Sequence, residues 1–234
     1  MQPAAHSEVV AKVAKRAARL VIVGAGGHGA ELRCYVREII RHGWDGELIG
    51  FLDDVAMPSG MPVIGNLGQF VGQATDFFDG LRYLTAVGNN AVRQRLVNRL
   101  TGLYGGVGLS AWTLVHPAAY VGDGNEIGEG SCVAPGAMVT CRSTLGRHCI
   151  LNVKASVSHD CTIGDFVNVN PGATICGNVA VGEGAYIGAG ATVKDKVSIG
   201  AWSVVGAGAV VVDDIPPHVT AVGVPARVIK RHNV

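Results

Sequence analysis

Between residues 115 and 211 the apolar positions of this chain fall on a step of six. Val115, Val121, Ile127 and every sixth residue onward to Val211 are Val, Ile or Leu, seventeen positions without a slip. These residue types form roughly a quarter of the chain, so chance would place about four there. Two residues before each aliphatic stands a second ladder of small side chains: Ala119, Ser131, Ala137, Ser143, Cys149, Ala155 and on to Ala209, with Val at three rungs and Asn125 as the one amide. Glycine often follows the aliphatic, as at Gly122, Gly128, Gly146, Gly164 and Gly182. A period of six is a multiple of two, so both ladders keep one strand face and point inward. Gly and Asn/Asp are expected to supply the positive φ of tight corners. Three hexads then make one triangular coil of about 18 residues, and about five coils stack so that like side chains line up in columns. Each buried aliphatic contributes about 1.5–3 kcal/mol before entropy is set against it.

The pattern before residue 108 is different. Leu20–Val23 is a short apolar run, followed by Gly24-Ala-Gly-Gly-His-Gly29 and a helical stretch Ala30–Arg41. Leu48–Leu52 reads as a second strand ending in Asp53-Asp54, Leu67–Ala74 as a helix, and Leu81–Val87 as a third strand. Gly88-Asn89-Asn90 then opens a helix through Leu100. This β-α-β-α-β-α order predicts a small parallel sheet with helices on its faces.

Gly24, Gly26 and Gly29 fit G-x-G-x-x-G, which alone suggests a dinucleotide fold with Asp53 as the ribose-binding acid. The unit is short, however, and lacks a second mononucleotide half. Glycines at a strand-to-helix turn cradle the phosphates of any nucleotide diphosphate. Gly26, Gly27, His28 and Gly29 are therefore read as the pyrophosphate site of a nucleotide-sugar, with Asp53 and Asp54 toward ribose or base. The alternative is a packing turn beside a solvated carboxylate pair.

Composition narrows the picture. Glycine is abundant at 34 residues, charged residues are 16% and aromatics 6%, and the net charge is +1. Short strands with many turns fit these figures, and neither nucleic acid nor an anionic membrane is indicated as main partner. No apolar run approaches the ~20 residues that span a bilayer. Met1–Leu20 carries basic residues without a long apolar stretch or cleavage site, and reads as a tail or short helix. The six cysteines show no Cys-x-x-Cys spacing and are read as reduced, small hydrophobes of a cytoplasmic protein.

The hexad ladder resembles that of the hexapeptide-repeat acyltransferases, and the order strand, GAGGHG, FLDD, GNN-x-x-Arg, then a ladder with a His-acid pair, resembles their nucleotide-sugar acetyltransferase branch. The bacillosamine-type and perosamine-type N-acetyltransferases belong there, with sialic-acid O-acetyltransferases as relatives. The resemblance covers about residues 20 to 229. It implies an α/β N-terminal domain with a small parallel sheet, followed by an all-β left-handed parallel β-helix, an exception to the usual crossover handedness. It implies a tail at 1–19, a Rossmann-like nucleotide-sugar-binding domain at 20–108, the acyltransferase β-helix at 109–215 and a C-terminal cap at 216–234. It also implies a homotrimer with sites shared by neighbouring prisms, and acetyl-CoA as co-substrate.

The branch's segment around the base, Asn-x6-His-acid-Cys-x-Ile-Gly, is here Asn152 to Gly164. The resemblance makes His159 the general base and Asp160 its electrostatic partner; Asn152 and Asn89 contact the nucleotide-sugar. The family's second His, nine residues on, is replaced by Asn168, which is assigned to the acetyl donor. Gly177 stands 18 residues after His159 and should stack beside it. Ala189 and Ala207, again one coil apart, leave room for the pantetheine arm. Gly223-Val-Pro-Ala-Arg227 matches the family's terminal segment, and Arg227 and Lys230 are assigned to CoA phosphates.

An ammonium must shed a proton before it attacks a thioester, and a His beside a carboxylate suits that task without a metal. The Gly177 N–H is the candidate donor to the tetrahedral oxyanion. A nucleophilic Cys161 or Cys176 is the competing mechanism, though packing explains both residues as well. Three rival functions remain open: O-acetylation of a sugar or sialic acid, a non-enzymatic nucleotide-sugar scaffold, and a dinucleotide-dependent oxidoreductase.

Overall fold

The computed structural model describes residues 19–54, 62–67, 80–104 and 109–232. It divides at Leu114/Val115 into two compact units. The expected N-terminal tail and most of the helix expected at Leu67–Ala74 lie outside the described residues.

The first unit is a five-stranded, all-parallel sheet. Its strands are β1 (Arg19–Val23), β2 (Glu47–Leu52), β3 (Val63–Gly65), β4 (Leu81–Thr85) and β5 (Ser110–Ala111), in the order β3-β2-β1-β4-β5. Helix α1 (Gly27–Arg41) follows β1, and α2 (Asn90–Tyr104) follows β4. Strands β3 and β5 are short additions that the hydrophobic pattern did not disclose: Val63–Gly65 is only half-buried and carries no alternation to read. Helix α1 buries Gly29, Leu32, Val36 and Ile39, the one-face spacing of an amphipathic helix. It begins at Gly27, three residues earlier than the sequence suggested, so Gly27, His28 and Gly29 form its first turn. The chain leaves β1 toward β2 on one side and returns to β4 on the other. The loop after β1 therefore sits at the topological switch point of an open parallel sheet.

The second unit is a left-handed parallel β-helix of triangular section. Strands β6 (Leu114–Val115) through β22 (Val210–Val211) are each two residues long and fall on three parallel sheets. Pairing runs one coil apart throughout, for example Val139 with Val157 and Val157 with Ile175. All the ladder aliphatics are buried except Ile127, which packs partly covered against the same core. Asn125, the amide in the small inward ladder, is satisfied: its Nδ2 donates to Gly122 O at 2.9 Å, and its Oδ1 accepts from Ser143 N–H at 2.9 Å. The C-terminal segment adds β23 (Val219–Val222) and β24 (Arg227–Arg231), an antiparallel pair that extends one of the three sheets.

The corners correct one expectation. Positive φ recurs every six residues from 124 to 208, three residues after each ladder aliphatic. Gly fills seven of these sites and Asp160 and Asn178 two more, as expected, but Arg142, His148, Lys154, Phe166, Lys196 and Trp202 fill the rest. The glycines directly after the aliphatic are needed for space instead. A Cβ on Gly182 would lie 2.5 Å from Ala201 N and 3.0 Å from Gly200 C, the backbone of the next coil. Gly182→Ala is therefore expected to destabilise by about 2–3 kcal/mol through overpacking against a backbone that cannot yield. Gly172→Ala, at φ +68 with nothing within 4 Å, is expected to cost only about 1 kcal/mol of backbone strain. Urea denaturation of the two variants checks this; equal losses would remove the steric account of the column.

Candidate active site

His159 lies in the corner between strand β13 (Ser156–Val157) and strand β14 (Thr162–Ile163). The left-handed φ of 58° at Asp160 turns the chain there, and Asp tolerates that conformation better than most residues. Asp160 N–H donates to Cys141 O one coil below, and Asn178 N–H above donates to His159 O. The corner is thus tied on both sides by backbone bonds.

His159 Nδ1 stands 2.7 Å from Asp160 Oδ2. Arg142 grips the same carboxylate with two bonds: Nε donates to Oδ1 at 2.8 Å and Nη2 to Oδ2 at 2.9 Å. The Arg142 guanidinium, and secondarily the imidazole, hold the Asp160 carboxyl down to about 2. Asp160 is therefore an anion throughout the neutral range and can only accept. The neutral imidazole must then carry its proton on Nδ1, which leaves Nε2 with a lone pair. The side chain of His159 is about half exposed.

The expected stacking of Gly177 on His159 is present. A Cβ on Gly177 would lie 2.7 Å from His159 Nε2 and 2.6 Å from Cε1, so the basic edge of the ring overlies the glycine. The Gly177 carbonyl accepts from Lys196 N–H, while its own N–H has no hydrogen bond to any described residue. Cys161 belongs to the interior: it is buried, its Sγ–H donates to Cys176 O at 3.1 Å, and burial pushes its thiol up. A thiol held protonated is a poor nucleophile, which weighs against it as the attacking group.

Other expected residues are distributed elsewhere on the prism. Asn168 lies on strand β15 (Asn168–Val169), in a different sheet half a coil beyond His159, and is buried. Ala189 and Ala207 are exposed on another corner, linked through the Gly208 N–H to Ala189 O bond. One chain therefore does not bring these three beside His159. Asn152 spends its Oδ1 on Val153 N–H at 2.8 Å. Arg227 and Lys230 are exposed on β24, and Arg227 stands 3.6 Å from Asp213.

In the first unit, the glycines of the loop divide by role. A Cβ on Gly24 would press on Ala86 O, and one on Gly29 on the Gly24 carbonyl, so these two are packing residues. Gly26 and Gly27 face open space, with Gly26 capping α1 without a side-chain bond. Backbone N–H groups of a 15-residue helix open onto that space. His28 Nδ1 lies 3.0 Å from Glu31 Oε2, and its Nε2 is buried without a partner among the described residues. Two residues assigned to the nucleotide-sugar have structural duties. Asp53 Oδ2 accepts from Ala25 N–H at 2.6 Å and so holds the glycine loop. Asn89 is the N-cap of α2, its Oδ1 accepting from Val92 N–H at 3.0 Å. Asp54 is exposed at the bend after β2.

Arg142 was not among the expected site residues. The signal was available: it stands 18 residues before Asp160, one coil, as Gly177 stands one coil after His159.

Comparison with known proteins agrees with the two-part fold. Residues 19–100 match the PglD N-terminal domain family, and residues 178–213 match the bacterial transferase hexapeptide (six repeats). The acetyltransferase domain of PglB from Neisseria gonorrhoeae FA1090, solved with acetyl coenzyme A, is 33% identical, with TM-score 0.81 over 92% of this chain and 100% of that one. The chain belongs to the hexapeptide-repeat nucleotide-sugar acetyltransferases. Another solved member of this family, PerB from Caulobacter crescentus in complex with CoA and GDP-perosamine, is 34% identical, with TM-score 0.80 over 90% of this chain and 97% of that one. UDP-N-acetylbacillosamine N-acetyltransferase of Bacillus subtilis is 40% identical over 117 residues, a match that spans 49% of this chain and half of that protein's length.

Proposed function

We propose that the protein transfers an acetyl group from acetyl-CoA to the amino group of a nucleotide-linked 4-amino-deoxysugar. The observation that carries this reading is the His159 imidazole, its Nδ1 tied to an ionised Asp160 and its Nε2 edge over Gly177. Nε2 takes the proton of the attacking amine, and the Asp160 carboxylate stabilises the imidazolium that forms. The nitrogen attacks the thioester carbonyl, the Gly177 N–H steadies the oxyanion, and CoA leaves as the tetrahedral intermediate collapses. Both substrates bind together, so no acyl-enzyme is needed.

The open space at Gly26 and Gly27, at a helix N-terminus on the sheet's switch point, suits a pyrophosphate. The unpartnered Nε2 of His28 and the exposed Asp54 supply polar groups for the rest of the nucleotide-sugar. Asn89, Asn152 and Asp53 complete the assignment. Asn168, Ala189 and Ala207 then serve acetyl-CoA from a neighbouring copy in a homotrimer, with Arg227 and Lys230 toward its phosphates. The cytoplasm, where acetyl-CoA is held, is the proposed compartment.

A panel of UDP-, GDP- and dTDP-linked 4-amino-6-deoxysugars, each beside its 4-hydroxy counterpart, tests the reading by CoA release. Acetylation of an amino compound is expected. Product from only the hydroxyl compounds would make the chain an O-acetyltransferase instead.

A further inference from the structure

We propose that Arg142 is a positioning residue that aims the His159 base by clamping Asp160; this rests on the acetyltransferase reading above. The geometry is a line of three side chains across two coils. The planar guanidinium meets both carboxylate oxygens at 2.8 and 2.9 Å, and one of those oxygens meets His159 Nδ1 at 2.7 Å. Arg142 is one coil below Asp160, and both sit at left-handed corner positions, φ 51° and 58°. Repetition of the corner geometry thus places the guanidinium under the carboxylate.

The clamp matters because the site is open. The side chains of Arg142, Asp160 and His159 are 63%, 35% and 51% exposed. An exposed ion pair contributes little stability, because water screens it. What a bidentate contact supplies is orientation, since a fork matched to a carboxylate holds it in one plane. Without Arg142, the Asp160 carboxylate is free to rotate toward solvent and release the imidazole. His159 then loses both its single tautomer and its placement over Gly177.

The protein contains a second cross-coil pair for comparison. Arg147 holds Asp165, 18 residues apart, with Nε at 3.0 Å and Nη2 at 2.7 Å from the one oxygen Oδ2, while its backbone N–H donates to Oδ1 at 2.7 Å. That pair flanks the same strand, β11 (Thr144–Leu145), at its other end, and touches no part of the His159 site. Both are exposed Arg–Asp pairs joining successive coils, so the modest stability such a contact supplies is common to them.

The test combines nitrogen-15 NMR of His159 with kinetics on the full chain. Above the imidazole's titration, the native protein is expected to show the Nδ1–H tautomer, and Arg142→Ala the mixture of free imidazole. The same variant is expected to lower kcat about 10–100-fold with KM nearly unchanged. Arg142→Lys should recover only part of the loss, because an ammonium cannot hold both oxygens in a plane. On an Asp160→Ala background, Arg142→Ala should cost almost nothing more, as expected for groups acting in series. Arg147→Ala should match the change in Tm and leave kcat unchanged. An unaltered tautomer in Arg142→Ala, additive losses in the double variant, or a raised KM with kcat retained would each overturn the proposal. The tautomer needs no substrate. A tautomer shift in a protein that acetylates nothing would therefore sink the functional reading and leave the clamp standing.

Discussion

Replacing His159 with alanine is expected to lower kcat by about 10²–10⁴-fold while binding of both substrates is largely kept. The loss follows from removing the proposed base, which its neighbours cannot replace. Asp160 cannot substitute, because Arg142 holds its carboxyl down to about 2 and it is far too weak a base. Cys161 cannot, because its thiol is buried and pushed up. The side chain of His159 is half exposed and carries no core packing, so its truncation should leave Tm within the range of an ordinary surface substitution. Steady-state kinetics with acetyl-CoA and the best acceptor of the amino-sugar panel, with calorimetric Kd values for each substrate, check the split. An unchanged kcat would remove His159 as the base. Native protein that binds nucleotide-sugar but releases no CoA would favour a scaffold, and native protein that releases no CoA but binds NAD tightly would favour the dinucleotide reading of Gly24, Gly26 and Gly29.

Gly177→Ala is expected to produce the second-largest effect, a fall in kcat of about 10²-fold. Its Cβ would lie 2.6–2.7 Å from the imidazole Cε1 and Nε2, closer than any real contact, so the ring must swing away. This case differs from Gly182→Ala in what must move. At Gly182 the obstacle is the backbone of the next coil; at Gly177 it is the far end of an exposed side chain. The ring can yield at little cost in folding, so Tm should hardly change while the base leaves its post over the oxyanion donor. Gly177 does not adopt positive φ either, so alanine brings no backbone strain. Activity and Tm of the single variant, with the His159 ring followed by NMR, make the comparison. A native rate in Gly177→Ala would remove the stacking of ring on glycine from the mechanism.

The amino-acid sequence by itself determined the β-helix, its register and the neighbours of His159. A hexad ladder is a strict periodicity, and stacked identical coils turn distance along the chain into position in space. That is why residues 18 apart, His159 and Gly177, were legible as neighbours before any coordinates. The strand–glycine loop–helix opening of the first unit was legible for a similar reason, since a short apolar run, glycines and an amphipathic helix are all local signals.

Only the tertiary structure decided the roles of individual polar groups. Asp53 and Asn89 read only as ligand contacts, and the fold adds a structural duty to each: one holds the glycine loop and the other caps a helix, because buried or terminal N–H groups lie within reach of their oxygens. The glycines after the aliphatics read as turn formers, yet they are spaces for the next coil's backbone, a clash that no one-dimensional pattern displays. Asn168 was assigned to the acetyl donor from its spacing alone, and the fold sets it on another sheet, half a coil beyond His159. The spacing of 18 set Arg142 one coil from Asp160, but only the rotamers of the two corner residues decided that its guanidinium grips both carboxylate oxygens. Periodicity sets which backbones stack; the direction of a long side chain is set by the φ of its corner and by which acceptor lies within reach.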